Sequence, residues 1–203
     1  MKTNHLIWIT PLLTVLCLTP ISCKSNPSAR IMADDEEDIV GTKRAGAPTY
    51  DRLIEGVVGK LLRNHSTQNS GSPKLLVASL PIENSSGEEL GDWSEQLYEL
   101  IDTSINTSSR YRNVSIRFVN AALREGRLRP DQLYLPTYRR QFLKILEAKG
   151  MPVECLLYSK LTTGTTEAND LKQRNYMLTL ELVDLKTGWN EKESERLRKE
   201  YSK

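Results

Sequence analysis

The side chains able to carry chemistry are few, and their spacing does not favour it. A Ser-His-Asp or Cys-His arrangement needs an imidazole held by a third group. Beyond His5, near the start of the chain, the sequence offers only His65. His65 stands at the edge of a polar stretch and reads as a solvated surface residue. Cys155 lies in the apolar run 153–158 and reads as a buried, inert thiol. The carboxylate pairs Glu88-Glu89 and Asp92-Glu95 fall in a loop and at a helix start, where acidic groups complement a helix dipole without any catalytic role. The Gly-x-Ser-x-Gly elbow, the phosphate loop, Gly-x-Gly-x-x-Gly, His-Glu-x-x-His and Ser-x-x-Lys do not occur. The expectation is a protein that is not an enzyme and holds no metal or cofactor.

The stronger signal is charge. Residues 110–149 carry ten basic side chains against three acidic ones, a local +7, and most of the ten are arginines. Arginine suits planar, bidentate contacts and interfaces. Within this stretch Arg127, Arg129, Tyr138, Arg139, Arg140 and Lys144 form the candidate partner-binding set. A cluster of this kind steers an acidic domain or polymer towards the surface. Over the whole chain 28 Lys and Arg face 26 Asp and Glu, a net +2. That balance argues against a dedicated nucleic-acid binder, which is usually far more basic. Three cysteines in 203 residues exclude a disulfide framework.

The elements that must position this stretch follow from periodicity. Tyr50, Leu53, Ile54, Val57, Val58, Leu61 and Leu62 recur on one face of a helix. Residues 75–80 form a short apolar strand, and 84–91 a polar loop. Trp93, Leu97, Leu100, Ile101 and Ile105 have helical spacing again. Val114, Ile116 and Phe118 alternate with Ser115 and Arg117, which predicts a half-buried strand over 113–119, then a helical turn or two at 120–125. Pro136 and Gly150 bracket a helix at 136–149 with an inner face of Tyr138, Phe142, Ile145 and Leu146. Strands are expected at 153–158 and 176–183, joined by a polar loop at 162–174. The charged residues after Trp189 show no period that assigns them a structure. The order gives an α/β or α+β fold, a mixed sheet of about four strands flanked by helices.

The N-terminus reads as an address. Lys2 precedes 13 mostly apolar residues from Leu6 to Leu18, too few for a membrane span. The run ends in Thr19-Pro20-Ile21-Ser22-Cys23, which resembles the bacterial lipobox, with Pro20 where that motif prefers leucine. By this resemblance residues 1–22 are a lipoprotein signal peptide, and Cys23 carries the acyl chains, palmitate among them. Each buried CH₂ adds about 0.8 kcal/mol of membrane affinity. Lys24 is compatible with an outer-membrane address. Residues 23–49, with the acidic run Asp34-Asp35-Glu36-Glu37-Asp38, hold no apolar period and read as a lipid anchor and disordered tether. Residues 50–203 are the globular domain.

Four segments in order resemble the LpoB family of outer-membrane lipoproteins, which activate a bifunctional penicillin-binding protein. They are the helix opened by Tyr50-Asp51, the strand Leu75-Leu76-Val77 leading into Ile82-Glu83-Asn84-Ser85-Ser86, the strand Val153 to Ser159, and Tyr176 to Gly188 with its Thr187-Gly188 turn. The resemblance spans 50–188, and its last strand and turn are shared with TolB N-terminal-like and CsgG-like lipoproteins. The family continues after Thr-Gly with an apolar strand, where this chain has Trp189 and a charged tail. The resemblance implies a TolB N-terminal-like fold and a non-enzymatic, monomeric regulator of peptidoglycan synthesis and cell shape. It would sit at the outer membrane facing the periplasm and touch a regulatory domain of the synthase. The alternative is an envelope assembly or secretion lipoprotein of the CsgG-like type. That reading needs amphipathic hairpins for a membrane barrel, and 162–174 is too polar for one.

Overall fold

The computed structural model describes residues 45–65, 73–168 and 171–202. The expected signal peptide 1–22, the expected lipid-bearing Cys23 and residues 24–44 of the expected tether lie outside the described residues. The described chain forms α1 (Ala47–His65), β1 (Leu75–Ser79), β2 (Glu83–Ser85), α2 (Trp93–Thr107), β3 (Tyr111–Asn113), α3 (Ile116–Gly126), a 3₁₀ turn (Pro130–Tyr134), α4 (Pro136–Ala148), β4 (Cys155–Ala168), β5 (Leu171–Asp184) and β6 (Asn190–Ser202).

All six strands belong to one mixed sheet, in the order β3-β1-β4-β5-β6, with β2 paired to β4 farther along the edge that β1 uses first. β1 runs parallel to β3 and β4, and β2 parallel to β4. β4, β5 and β6 are antiparallel neighbours. Strand alternation sends side chains to two separate cores. Tyr176, Leu178, Leu180 and Leu182 of β5 lie with Cys155 and Leu157 under Leu53, Val57 and Leu61 of α1 and Leu97 and Ile101 of α2. Ala78, Leu156 and Tyr158 face the other way, onto Val119 and Leu123 of α3 and Phe142 and Leu146 of α4.

Helix ends follow local rules. Pro136 opens α4 and Gly150, with φ of 78°, closes it; the Met151 N–H donates to the Leu146 carbonyl at 3.0 Å. Ser115 caps α3, which ends at Arg127 in the left-handed conformation (φ 51°), and the Leu128 N–H donates to the Leu123 carbonyl at 2.8 Å. The arginine thus occupies a position that favours glycine.

Three expectations are corrected. The alternation at 114–118 is not a strand. β3 is only Tyr111–Asn113, and Ile116, Val119, Ala122 and Leu123 pack at helical spacing while Phe118 is 42% exposed. Five residues satisfy both periods, and the Ser115 cap resolves them as helix. Residues 162–168 and 171–174 of the polar loop expected at 162–174 are instead ladder, paired from Thr162↔Met177 to Ala168↔Leu171. Its threonines are good strand formers, and polarity alone does not make a loop. The sheet has six strands rather than about four. β2 forms within the stretch read as a polar loop, and the charged tail is β6, paired with β5 from Leu171↔Ser202 to Val183↔Asn190. Charged side chains on a long edge strand also discourage further edge pairing.

β6 lies under α1, where Lys60 Nζ meets Glu195 Oε2 at 2.8 Å and the Ser194 carbonyl at 3.0 Å. A Cβ on Gly56 would stand 2.6 Å from Glu195 Cγ, so this glycine sets the closeness of helix and strand. Gly56→Val is expected to cost about 1–3 kcal/mol by overpacking. Urea denaturation of the single variant and of Gly56→Val with Glu195→Ala checks this, the second change recovering much of the loss.

The β5–β6 turn depends on Asp184, whose Oδ1 accepts from the Lys186 and Thr187 N–H groups at 2.9 and 2.8 Å. Burial raises its pKa, but the hydrogen bonds from Thr187 and Lys186 outweigh that and hold it below the ordinary carboxylate value. A depressed folded-state pKa stabilises above the unfolded value, near 4, and that contribution disappears as pH falls through the folded value. Asp184→Asn should cost under about 1 kcal/mol at pH 7, because the site is wet. The difference from the unaltered chain should vanish by about pH 2 in denaturation curves.

Candidate functional site

The two helical layers cover the sheet unequally. On the second face α3, the 3₁₀ turn and α4 shield β1 and the start of β4. Beyond Tyr158 and Val183 the second-face residues of β4, β5 and β6 carry no helix, and those of β6 (Lys192, Ser194, Arg196, Arg198) are exposed. The result is an open groove of about 770 Å³. Its floor is Lys160 and Thr162 of β4, Met177 and Thr179 of β5, and Lys192 and Ser194 of β6. One wall is Pro81, Ile82 and Glu83, and the other is Pro130, Asp131 and Tyr134.

Tyr134 stacks on Tyr158 with ring centroids 4.3 Å apart and planes 18° from parallel. Burial pushes both phenols up, so both stay protonated at neutral pH. Along the floor Lys160 donates to Glu83 Oε1 at 2.6 Å, and that hydrogen bond lowers the Glu83 pKa. Lys192 lies 3.5 Å from Glu181 Oε2. The groove is therefore not basic: Glu83, Asp131 and Glu181 line it against Lys160 and Lys192. Beside it, at the junction of the 3₁₀ turn and α4, Tyr134, Leu135 and Tyr138 are 50%, 55% and 36% exposed. Pro136 at the first position of α4 starts the helix immediately after Leu135 and leaves these three on the surface. Exposed tyrosines with neighbouring arginines have the composition of a protein-interface core.

The six residues singled out by sequence do not share one face. Arg139 is half-buried, and its charge acts to lower the Tyr158 pKa. Arg140 and Lys144 are exposed and stand about 40° apart around α4, whereas Arg139 and Lys144 are about 140° apart. Tyr138 joins the aromatic cluster. Arg127 is exposed at the left-handed end of α3, and Arg129 pairs with Asp131 at 3.2 Å with both side chains largely in water. The remaining basic residues disperse: Lys149 pairs with Glu125 at 2.8 Å, and Arg110 lies over the Tyr111 ring, which belongs to the first core. The local +7 is thus divided between surfaces. Tyr134 and Leu135 join the site through their exposure, which no periodicity in the sequence reports.

Cys155 is buried, and burial pushes its thiol up to about 12, which leaves it unreactive. Among the described residues no group of three or more His, Cys, Asp or Glu could hold a metal, and no helix is long and apolar enough to cross a membrane.

No protein-family model matches the chain, and no curated protein sequence matches it. Among solved structures the chain is similar to the LpoB C-terminal domain from Escherichia coli, at 17% identity over 70% of this chain and 97% of that one, with a TM-score of 0.45. It is similar to the LpoB C-terminal domain from Salmonella enterica at 18% identity over 72% and 97%, with a TM-score of 0.43. It is also similar to E. coli LpoB determined by NMR, at 13% identity over 98% and 96%, with a TM-score of 0.47. Likeness of this size assigns the chain to no family.

Proposed function

We propose that this chain is a non-enzymatic regulator that docks on a bifunctional penicillin-binding protein and stimulates peptidoglycan synthesis. Cys23 carries the lipid anchor at the outer membrane, residues 24–44 act as a tether shorter than the 23–49 expected, since α1 starts at Ala47, and the domain that follows reaches the regulatory domain of the synthase. The observation that carries docking is the exposed Tyr134–Leu135–Tyr138 cluster with Arg139 and Arg140 beside an open groove. The ordered segment resemblance over 50–188 supplies the partner class. Tyrosine anchors flanked by arginines fit a partner surface that is acidic around an apolar centre. Stimulation requires that the bound form favour the active synthase, because binding that does not discriminate between states shifts nothing.

The test uses the full chain with Cys23→Ser, added to the host's bifunctional penicillin-binding protein while glycan polymerisation and peptide cross-linking are followed together. Either rate should rise saturably. Tyr134→Ala with Tyr138→Ala, and separately Arg139→Glu with Arg140→Glu, should each raise the half-saturating concentration about tenfold or more. No binding and no rate change would sink the function. A normal response from both double variants would keep the function and move the site.

A further inference from the structure

The edge of β4 that carries β1 and then β2 is left open beyond Thr162. β1 pairs there with residues 155–157 and β2 with residues 160–162. Past that point no strand among the described residues lies against it. β2 leaves the edge in a turn held by Asn84, whose Oδ1 accepts from the Ser86 N–H at 3.0 Å and from the Ser86 hydroxyl at 2.6 Å. β4 itself runs on to Ala168 in unbroken register with β5, and residues 164–167 are exposed.

The direction of the backbone groups follows from parity. The Leu157 carbonyl accepts from the Leu80 N–H at 2.9 Å, on the side that β1 occupies. Backbone groups alternate sides along a strand, so Thr165, an even number of residues on, points its N–H and C=O to that same side. Such an edge matches one kind of occupant, another extended backbone. The opposite edge of the sheet is defended against this. β6 is dense in charge, and Lys60 Nζ donates to its Ser194 carbonyl at 3.0 Å. Residues 162–166 read Thr-Thr-Gly-Thr-Thr, with no charge, no proline and no bulge.

Gly164 is a second, independent observation. Its φ is not positive, and a Cβ there would meet nothing within 4 Å, so neither backbone conformation nor crowding asks for glycine. Glycine inside a strand weakens it and often marks close approach by something else. In sheets such a gap is filled by an aromatic side chain of the neighbouring strand. On β5 its opposite number is Asn175, which leaves the gap to a strand on the open side.

We infer that an extended strand of the partner synthase adds to β4 along Thr163–Glu167 and lays an aromatic side chain over Gly164. This rests on the docking reading above and gives that contact a second element. Thr162, where the open edge begins, and Met177, opposite it on β5, also line the groove, so edge and groove are continuous. A second copy of this chain is a poorer occupant, because a ladder of about five residues buries well under the ~1,000 Å² of a specific interface.

The test is hydrogen exchange on the full chain carrying Cys23→Ser, alone and with the host's bifunctional penicillin-binding protein. Binding should slow the Thr165 amide about tenfold or more, while the Thr166 amide, which points to β5, changes little. Thr165→Pro removes the outward N–H without touching the β4–β5 bonds and should raise the half-saturating concentration of the synthase about tenfold. Thr165→Val keeps the N–H and should bind normally. Gly164→Thr should not lower the melting temperature, since the added atoms meet nothing, yet it should weaken binding severalfold. Binding that leaves the Thr165 amide unchanged, or that neither Thr165→Pro nor Gly164→Thr weakens, would overturn the inference while the proposed function stands. Slowing that grows with this chain's own concentration in the absence of synthase would assign the edge to a second copy and overturn it as well. No binding at all would remove both readings together.

Discussion

Phe142→Ala is expected to cost about 3–5 kcal/mol, a large share of the 5–15 kcal/mol that holds a domain of this kind together. Phe142 is fully buried in the second core, among Leu133, Leu146, Val119 and Leu156. That core is separate from the one under α1 and α2, so neighbouring side chains have few ways to fill the cavity. Little else ties α3 to α4: Lys149–Glu125 at 2.8 Å, and Gln141 Nε2 donating to the Gly126 carbonyl at 3.2 Å, both near the surface. The loss should therefore be local before it is global. Amide exchange should accelerate in α3 and α4 while α1, α2 and β5 keep their protection. Because α4 carries Tyr138 and follows Tyr134, docking should weaken with it. Phe142→Leu, which removes less volume, should cost about 1–1.5 kcal/mol. A loss below about 1 kcal/mol for Phe142→Ala in urea denaturation would mean that the second core does not hold this layer.

Glu88→Ala should cost about 2–4 kcal/mol. Glu88 pairs with Arg174, accepts from the Tyr176 hydroxyl at 2.9 Å, and takes the Ala45 N–H at 3.4 Å. One carboxylate thus joins the start of the domain, the loop after β2 and the long β5 strand. Its side chain is 10% exposed and that of Arg174 is 19% exposed. Removing one partner of such a pair leaves the other charge poorly solvated, and that accounts for most of the cost. The figure sits below the value for a fully buried pair because Arg174 keeps some contact with water. Glu88→Gln retains an acceptor for Tyr176 and should cost less. A double-mutant cycle with Arg174→Leu checks the argument: the pair variant should be clearly more stable than the sum of the two single losses. Simple additivity would show that the two side chains act independently.

Much of the architecture was legible from residue order. The face of α1, most of that of α2, the apolar β1, the Pro136-to-Gly150 bracket of α4 and the alternation of β5 each carry a local period that burial then realises, whereas Leu100 of α2 and Tyr138 of α4, expected on inner faces, are 40% and 36% exposed. Cys155 was legible as buried for the same reason. Where period and polarity disagreed with pairing, the sequence misled. Residues 162–174 and 190–202 look like loop and tail because their side chains are polar. Residues 162–168, 171–174 and 190–202 form strands because their backbones find partners across the β4–β5 and β5–β6 ladders, and backbone hydrogen bonding is nearly blind to side-chain polarity.

Sequence alone determined the charge of the 110–149 stretch, its richness in arginine and the absence of nucleophile, metal and phosphate motifs, since these depend only on which residues are present. Tertiary structure decided how that charge is shared out. It left Arg139 half-buried and Arg140 and Lys144 exposed, paired Arg129 and Lys149 with carboxylates, and exposed Tyr134 and Leu135. It also joined Glu88 to Arg174 and left the Tyr98 hydroxyl without a partner. The physical reason is range. Helical and strand periods act over a few residues and are written locally, whereas exposure, ion pairing and the unequal cover of the sheet depend on elements brought together from distant parts of the chain.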